Sequence, residues 1–472
     1  MDIRNLLAKR KPADQAIRDV ITCIEENGRY LVEALAGSGK TSVCIDFIRL
    51  NGFATPEKSI TYISYTNAAV KEATERIKAV SHLNQNHQIC TFNKYVLDVL
   101  KFNNILLPDI ADCVARAENT GFMTFDHRLS TYAKYEKLME SMPKAFETKP
   151  SSLDRFFEKP FQNEHSTTFD FHLVMLYYLI LSKRIVVSGY ALIVDECQDM
   201  TPFKIKLIGV LKYDILIMVG DPKQAIYSHD GCVNFFKLPV AKEFNHLKLT
   251  TTFRFSQEAC DMIYAPNTVK SCAFDKTTVT FTDDIPQSGV LLVPTNNAIA
   301  HYVLSFPNVA ITTKRINILN SRFKKWERFN RDLLTWYNNK HGRYCKIEDI
   351  SARTAYAQYL EQIGDQSFVY ASMNWKYVPQ IMLQVRLGTV KAVACRSHAR
   401  GNLLIETIHA FKGSESDVII LTDDTLPHNL HMKTAYDRHC LYYVALTRAR
   451  KHLILPTAWK TQFLTPFDGV IE

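Results

Sequence analysis

Two short segments of the chain carry residue types that could bind phosphate groups and activate a water molecule to cleave the bond between them. The first, residues 34–41, follows an apolar run and precedes a helical pattern, so its backbone N–H groups would face a phosphate at a helix start. Lys40 would neutralise phosphate charge and Thr41 would hold Mg²⁺. Ala34 replaces the glycine that usually opens such a loop, and two later glycines tighten the turn. The predicted phosphate-binding residues are Ala36, Gly37, Ser38, Gly39, Lys40 and Thr41.

The second segment, residues 191–196, is an apolar run that ends in two carboxylates. Asp195 is placed to hold Mg²⁺ through water, and Glu196 to polarise an attacking water molecule. Each segment alone has a structural explanation, as a Gly-rich turn before a helix or as a strand that ends in a solvated acidic turn. Their combination in one chain favours nucleotide hydrolysis, with ATP and Mg²⁺ as cofactors.

Length and composition bound the elements that position these residues. A chain of 472 residues exceeds the size of one hydrophobic core, so two or more domains are expected. Charged residues interrupt the longest apolar run, residues 169–185, and the first residues lack a signal-peptide core. The sequence therefore predicts a soluble intracellular protein with no membrane partner, and does not distinguish cytoplasm from nucleus.

Cysteine spacing and net charge narrow the class of protein. The 11 cysteines include no C-x-x-C pair, so neither disulfides nor zinc is indicated. The formal net charge of +9 at pH 7 is modest for this length, but its sign favours a polyanionic partner.

The separation of Lys40 from Asp195 exceeds one nucleotide-binding unit and predicts an insertion at residues 97–182. Its middle part has the spacing of helices with exposed charge. Four residues recur at helical spacing, Tyr132, Tyr135, Leu138 and Met139, and the aromatic ones are expected in the core rather than in contact with a ligand.

A second series of strands and helices begins near residue 247. It contains a basic, aromatic stretch at residues 317–400 that is predicted to be helical. We therefore expect a first α/β domain at residues 1–245 and a second at residues 246–472, each with one insertion.

Four further segments complete an ordered set of motifs. Residues 217–227 form a buried strand pattern that breaks into a loop with an amide side chain. Residues 250–255 place an aromatic next to an arginine, and residues 406–413 and 441–450 follow near the C-terminus.

This ordered set resembles the superfamily 1 helicases of the UvrD, PcrA and Rep type over residues 15–455. Residues 194–202, 220–224 and 253–255 resemble the F-box-containing DNA helicase branch most closely, although no F-box-like segment is recognised before the motor. The resemblance implies an α/β fold of two RecA-like P-loop domains with parallel sheets, a helical insertion in the first and a reduced insertion in the second.

The resemblance also implies roles at the nucleotide. Gln15 would read the adenine edge, Phe253 would stack on the base, and Glu415 would meet the ribose. Gln224 would touch the γ-phosphate from the first domain. Arg254 and Arg448 would reach it from the second domain as arginine fingers, although Arg448 read alone is an ordinary surface arginine.

The nucleic-acid-binding surface is expected after the second strand and near the motifs at residues 217–227 and 406–413. Tyr65 would stack on a base, and Thr66 and Thr91 would hold phosphates, whereas Phe92 is expected in the core. The remaining predicted DNA contacts are Asn67, Tyr227, His229, Thr407 and His409.

Three departures from the family pattern bear on function. Ser228-His229-Asp230 stands where the family has an aromatic and an arginine, so Asp230 places negative charge where DNA is expected. Asn93-Lys94 follows Thr91-Phe92 where the family has His-Ser, and Lys94 is a candidate for a phosphate contact in its place. The second insertion is short, and its basic helix at residues 314–331 is either a DNA contact or a solvated face, the commoner outcome.

The expected function is an ATP-dependent DNA helicase or translocase that moves on single-stranded DNA and single-strand/duplex junctions, with 3′-to-5′ polarity implied by the resemblance. One alternative is an RNA-directed or protein-displacing ATPase that does not unwind duplex. Another is a nucleotide-gated subunit that needs a protein partner in a repair, recombination, replication or defence complex. The sequence does not encode which context applies.

Overall fold

The described residues form two compact units. Unit 1 lies within residues 1–95, 186–312 and 388–472, and unit 2 within residues 96–185 and 313–387. The predicted domain bounds stay a prediction. The computed structural model describes residues 15–24, 27–54, 59–78, 87–159, 161, 168–264, 269–271, 277–306, 308–363, 365, 367, 377–394, 396–399, 401–430, 432 and 434–464.

Helices and strands alternate along most of the chain. Those up to residue 249 are α1 (Gln15–Thr22), β1 (Gly28–Ala34), α2 (Lys40–Ala54), β2 (Ile60–Ser64), α3 (Asn67–Lys78), β3 (Gln88–Thr91), α4 (Phe92–Phe102), α5 (Ile110–Asn119), α6 (Thr131–Thr148), α7 (Pro150–Phe157), α8 (Phe169–Leu181), β4 (Ser188–Val194), α9 (Pro202–Val210), β5 (Lys212–Gly220) and β6 (Asn245–Leu249).

The elements that follow are β7 (Thr251–Thr252), α10 (Gln257–Ile263), β8 (Lys270–Ser271), β9 (Thr278–Phe281), β10 (Gly289–Val293), α11 (Asn296–Ser305), β11 (Val309–Thr312), α12 (Thr313–His341), α13 (Ile350–Ile363), α14 (Val378–Leu387), β12 (Val390–Val393), β13 (Leu403–Thr407), α15 (Ile408–Phe411), β14 (Ser416–Ile420), α16 (Ala435–Leu446) and β15 (Ala449–Leu455).

The first sheet of unit 1 has six strands in the order β3-β2-β4-β5-β1-β6, and every neighbouring pair is parallel. All five residues of β2 are buried, as expected for a parallel strand covered on both faces. Because the strands are parallel, β1, β4 and β5 end at the same edge. The phosphate loop, the paired carboxylates and the loop after β5 therefore start side by side.

The second sheet of unit 1 has seven strands in the order β12-β11-β13-β10-β14-β15-β9, again with parallel neighbours. Helix α16 is almost entirely buried and leads directly into β15, so Thr447 and Arg448 lie at a short junction between them. The predicted fold class, α/β with two parallel sheets, is confirmed.

Apolar packing holds each sheet. Val43, Phe47 and Ile48 of α2 pack with buried residues of β1, β2, β4 and β5 in one cluster. A second cluster joins β10, β13 and β14 to α16 and ends at the fully buried Trp459. Each fully buried side chain of this kind contributes about 1.5–3 kcal/mol to the free energy of unfolding.

Unit 2 is helical, as expected for both insertions. The rings of Phe156, Phe161 and Phe171 pack within one core, and Phe329 and Tyr356 join α12 to α13.

Of the two tyrosines expected in the core of the first insertion, Tyr135 is buried, but Tyr132 is 56% exposed. The prediction for Tyr132 is wrong. The buried face of α6 is set by Tyr135, Leu138, Met142 and Ala145, and Tyr132 does not lie on it. Three residues before Tyr135 the helix has turned by about 300°, which puts Tyr132 at the edge of this face.

The described cysteines are free thiols. Within the described residues, no helix combines the length and apolarity needed to cross a bilayer. In the same part of the chain, no cluster of three or more His, Cys, Asp or Glu side chains could by itself hold a metal ion.

Candidate active site

The loop between β1 and α2 has a backbone shaped to cradle a phosphate. Gly37 (φ 73°) and Gly39 (φ 90°) lie in the left-handed region that favours glycine. The buried Ser38 hydroxyl donates to the Leu35 carbonyl at 2.7 Å and closes the turn. Helix α2 begins at Lys40, so its first N–H groups, which lack partners inside a helix, are available to an anion at this loop.

The position of Gly37 accepts no side chain. A Cβ atom there would lie 2.5 Å from the Arg254 Cβ and 2.8 Å from the Thr252 Oγ1. The Phe253 N–H donates to the Gly37 carbonyl at 2.9 Å, and the Thr252 hydroxyl donates to the Ala36 carbonyl at 3.1 Å. The segment after β6 therefore braces the phosphate loop and brings the predicted residues Phe253 and Arg254 to it.

Lys40 and Glu196 meet across the site. The Lys40 Nζ lies 3.3 Å from the Glu196 Oε1, and the Gln198 Nε2 donates to the Glu196 Oε2 at 2.5 Å. Glu196 has a left-handed backbone (φ 58°, ψ 42°), which costs a residue with a side chain about 1–2 kcal/mol. Strain of this kind concentrates at functional sites, where the surroundings hold it.

The two adjacent carboxylates have opposite pKa shifts. Burial and the neighbouring Glu196 raise the pKa of Asp195 to about 6. Burial also raises the pKa of Glu196, but the charges of Lys40 and Lys412 outweigh it and lower that pKa to about 2. Glu196 is therefore ionised throughout the neutral range while Lys40 and Lys412 lie beside it.

The carboxylates also keep Lys40 charged. Burial lowers the pKa of Lys40, whereas Glu196, Asp221 and Asp195 raise it, and the net shift is upward. The ammonium therefore balances the acidic side chains until a phosphate replaces them.

The donor set fits a magnesium nucleotide. Mg²⁺ is held in such sites by one or two oxygen side chains, with substrate phosphates and water as the other ligands. Thr41 lies in the first turn of α2, and Asp195 follows β4 at the same sheet edge. These oxygen donors beside the phosphate loop are of the kind that Mg²⁺ prefers.

Gln224 lies where the six-stranded and the seven-stranded sheet of unit 1 meet. Its Nε2 donates to the Asp221 Oδ2 at 2.7 Å, and its Oε1 accepts from the Arg448 Nη2 at 3.2 Å. The Arg448 Nε also donates to the Val444 carbonyl at 2.9 Å. Burial and the nearby Arg254 lower the pKa of Arg448 to about 10, so the guanidinium stays charged at neutral pH.

Arg254 and Glu415 form an ion pair in this structure. The Arg254 Nη1 also donates to the Thr447 carbonyl at 2.7 Å, next to Arg448. The two predicted arginine fingers therefore lie together, and the residue predicted to meet the ribose holds one of them.

Tyr443 is a buried tyrosine whose hydroxyl makes several hydrogen bonds, and the sequence did not predict its role. Its hydroxyl donates to the Asp221 Oδ2 at 3.0 Å, accepts from the Ala36 N–H at 3.2 Å, and lies 2.8 Å from the Tyr264 hydroxyl. It links helix α16 to the phosphate loop. The segment containing Tyr443 was recognised as a motif, but no local signal singles out this hydroxyl.

Lys412 and Asp199 form a second buried link that was not predicted. Lys412 pairs with the Asp199 carboxylate and donates to the Gln224 carbonyl. Burial raises the pKa of Asp199 to about 6, despite the opposing charge of Lys412. Asp199 lies in the motif at residues 194–202 and Lys412 in the motif at residues 406–413. The two side chains are in contact only because the fold packs these distant segments together.

Four predicted DNA contacts lie after β2 and β3. Tyr65 is half-buried, and the Lys204 Nζ lies 4.4 Å from its ring centroid and donates to its hydroxyl at 2.5 Å. The hydroxyls of Thr66 and Thr91 accept from backbone N–H groups at the starts of α3 and α4. Asn67 is exposed at the start of α3, and Phe92 is buried, as expected.

The other predicted DNA contacts lie near the loop after β5. The Tyr227 hydroxyl donates to the His409 carbonyl at 3.2 Å, and the His229 and His409 rings are 5.1 Å apart, edge to face. Burial and His229 lower the pKa of His409 to about 4. Thr407 is 5% exposed and caps α15, so its side chain does not face solvent here.

Gln15 is the first residue of α1, and its side chain lies outside the described part of the chain. Its predicted contact with adenine stays a prediction.

Two family models match the chain in the order of the two sheets. A model described as an AAA domain matches residues 18–230, and one described as the UvrD-like helicase C-terminal domain matches residues 402–455. With the phosphate loop and the arginines of the second sheet, these matches identify the chain as a member of the UvrD-like superfamily 1 helicases. The predicted family is confirmed, and the likeness to the F-box branch stays a prediction.

Two curated relatives are similar in sequence. The Gabija protein GajB of Bacillus cereus (strain VD045) is 24% identical over 496 residues, which cover 92% of this chain and 93% of that protein. The Probable DNA helicase II homolog of Mycoplasma genitalium (strain ATCC 33530 / DSM 19775 / NCTC 10195 / G37) is 24% identical over 284 residues, 52% of this chain and 40% of that protein.

Among solved structures, the PRRSV helicase matches at a TM-score of 0.38 and 10% identity over 95% of this chain and 55% of that chain. A complex of Arterivirus nonstructural protein 10 (helicase) with DNA has a TM-score of 0.36 and 13% identity over 97% of this chain and 65% of that chain. This chain therefore spans less than two thirds of either solved structure.

Proposed function

We propose that this chain is an ATP-dependent DNA helicase or translocase that moves 3′-to-5′ on single-stranded DNA and couples ATP hydrolysis to duplex unwinding. One observation carries the proposal: residues from both parallel sheets meet at one phosphate loop, where Arg448 donates to Gln224 at 3.2 Å. A ligand held by both sheets can draw them together, and its hydrolysis can release them. Such a cycle suits a stepping motor.

In this mechanism Lys40 and the loop N–H groups bind the β- and γ-phosphates of ATP. Thr41 and, through water, Asp195 would hold Mg²⁺, which neutralises phosphate charge when bound. Lys40 exchanges its contact with Glu196 for the phosphates, which frees the Glu196 carboxylate. Glu196 then orients the attacking water and takes its proton.

Charge that develops on the γ-phosphate is stabilised by two arginines beside the phosphate loop. Arg448 and Arg254 act as arginine fingers, a contribution worth about 10³–10⁵ in rate in related phosphoryl transfers. Gln224 touches the γ-phosphate from the first sheet. Its hydrogen bond with Arg448 couples the two arms of the site.

The rest of the nucleotide is bound by predicted contacts. Phe253 stacks on the base beside the phosphate loop, and Gln15 reads the adenine edge. Glu415 meets the ribose once Arg254 turns to the phosphate.

Single-stranded DNA would lie across the ends of β2 and β3. Tyr65 supplies a stacking face, and Thr66, Asn67 and Thr91 supply polar contacts to the phosphates. Tyr227 and His229, in the loop after β5 of the first sheet, and His409, in α15 after β13 of the second sheet, form the other part of the path, and Thr407 caps α15. This arrangement tolerates any base sequence, as a motor requires. Repair, recombination or replication intermediates with single-strand/duplex junctions are the proposed substrates.

The charge at Asp230 supports a second candidate function. Asp230 is exposed and its Oδ2 lies 3.6 Å from the His229 Nε2, in the loop proposed to contact DNA. A carboxylate there weakens phosphate binding. The alternative is therefore a nucleic-acid-stimulated ATPase that clears proteins, or gates a partner complex, without unwinding by itself.

The first experiment measures steady-state ATP hydrolysis with no nucleic acid, single-stranded DNA, duplex DNA or single-stranded RNA. We expect strong stimulation by single-stranded DNA alone. Glu196→Gln should bind ATP tightly and hydrolyse almost none, because it cannot take the proton. Hydrolysis that ignores every nucleic acid would contradict the translocase, and retained turnover in Glu196→Gln would remove Glu196 as the base.

A second assay separates unwinding from protein clearance. Duplexes with a 3′ or a 5′ single-stranded tail report strand separation, and single strands with streptavidin at either end report translocation. Separation from the 3′ tail alone supports the proposed polarity. Streptavidin displacement without strand separation favours the alternative.

A further inference from the structure

Tyr62 is a fully buried tyrosine whose hydroxyl reaches the proposed metal site. It lies in the middle of β2, is 0% exposed, and its ring packs in the core beneath the first sheet. Its hydroxyl donates to the Asp195 Oδ2 at 2.7 Å. A phenylalanine would fill nearly the same volume but would lack the hydroxyl that bonds Asp195.

The register of the sheet places this contact. Tyr62 is the partner of Ile193 in the parallel pairing of β2 with β4, and both belong to the same core cluster. Asp195 comes two residues after Ile193, at a distance of about 7 Å along the strand direction. The length of a tyrosine side chain spans this gap, whereas a shorter side chain would end inside the core.

Both oxygens of Asp195 are held by fixed donors. The Tyr62 hydroxyl bonds Oδ2, and the Glu196 N–H bonds Oδ1 at 2.9 Å. Two donors on opposite oxygens fix the rotation of the carboxylate and leave its remaining lone pairs to point in one direction.

We propose that Tyr62 is a positioning residue for the magnesium nucleotide, because its hydroxyl holds Asp195 in the orientation that accepts a water bound to the metal. The inference rests on the proposed ATPase. It adds a residue that acts through Asp195 and does not itself touch ATP or metal. Partners of this kind typically change metal affinity by about 10–100-fold when removed.

The test uses the full chain with Mn²⁺ as the probe and a non-hydrolysable ATP analogue. Electron paramagnetic resonance measures free Mn²⁺ during a titration, so the readout does not depend on turnover. Tyr62→Phe should raise the dissociation constant of Mn²⁺ by about 10-fold or more. Analogue binding without metal should stay within about twofold of wild type.

Tyr190→Phe is the matched control. Tyr190 is buried in the same cluster, on β4, and its hydroxyl donates to Asn51 at 3.3 Å, away from Asp195. It should bind Mn²⁺ with the wild-type constant. Wild-type Mn²⁺ affinity in Tyr62→Phe would overturn the inference and leave the ATPase intact, whereas wild-type protein that binds no metal nucleotide would overturn both.

A double-mutant cycle with Asp195→Asn separates positioning from structural damage. If Tyr62 acts through Asp195, the change to Phe should have no further effect on Mn²⁺ binding once Asp195 is Asn. An equal effect in both backgrounds would contradict the inference. Unfolding midpoints of all four proteins measure the structural cost separately.

Discussion

Arg448 is a buried cation of the second sheet that touches an amide of the first. The Arg448 Nη2 bonds both the Gln224 Oε1 and the Thr447 hydroxyl, the latter at 2.8 Å, which fixes the plane of the guanidinium. Its lowered pKa of about 10 leaves it charged near pH 7. A fixed, charged fork of this kind suits a transition state better than a mobile lysine.

We predict that Arg448→Ala lowers kcat for ATP by at least about 10³-fold, because the finger acts on charge that develops during the reaction. The dissociation constant of a fluorescent ATP analogue should change much less. Arg450→Ala is the control, since Arg450 is exposed and pairs with Asp417 at 2.7 Å on the surface. Normal turnover in Arg448→Ala would remove the finger assignment.

Among single residues, the sequence predicts functional side chains that follow the end of a strand. It does not predict contacts between side chains that belong to different sheets. Lys40 and Glu196 were predicted because each lies beside a recognisable strand, and the structure brings them within 3.3 Å. The pair of Lys412 with Asp199 was not predicted. Nothing within a few residues of either side chain indicates its partner, which comes from a distant motif.

At the scale of elements, the phosphate loop depends on glycine geometry. Gly37→Ala would place a Cβ 2.5 Å from the Arg254 Cβ, at a φ of 73° that costs alanine about 1–2 kcal/mol. We predict a lower unfolding midpoint and at least about a 10-fold loss of ATP affinity, since the loop must shift. Thermal unfolding and a fluorescent nucleotide titration measure the two effects.

Gly209→Ala is the matched control for the loop. Gly209 lies in α9, and a Cβ there meets no atom within 4 Å. Alanine is the better helix former by about 1 kcal/mol, so this variant should be as stable as wild type or more stable. An equal loss of ATP affinity in both variants would mean that the loop geometry is not the cause.

Elements were predicted well where burial gives a clear pattern. Strands β1, β4, β5, β10 and β13 are apolar runs between polar turns, which is the pattern of parallel strands. Helical spacing also predicted the insertions. The order of strands within each sheet was not predicted, because pairing depends on contacts that no local pattern encodes. Tyr132 shows the same limit, since spacing gives a stripe but not its edges.

For the whole molecule, buried titratable groups set the dependence of stability on pH. Burial lowers the pKa of His172, in α8 of unit 2, to about 4. The unfolded chain binds this proton near pH 6.5, so the stabilising contribution is complete above pH 6.5 and is lost as the pH falls towards 4. The loss reaches at most about 1.4 kcal/mol per pH unit for one site.

We predict that His172→Gln flattens the fall of the urea midpoint between pH 6.5 and pH 4.5, because glutamine has no proton to gain. Urea titrations at several pH values measure this slope. The control is His127→Gln, which changes an exposed histidine of the same unit and should keep the wild-type slope. Parallel slopes in wild type and His172→Gln would contradict the assignment.

The place of β1 in its sheet governs how the molecule is made. Strand β1 lies between β5 and β6, which begin at residues 212 and 245. On a ribosome that adds about 5–20 residues per second, β1 waits on the order of 10–40 s for its first neighbour. The nascent chain therefore carries an unpaired apolar strand through most of the synthesis of the first sheet. A chain stalled in that interval would expose this strand to chaperones. Nucleotide could not stabilise it, because the residues after β4 and β5 that complete the site would not yet be synthesised.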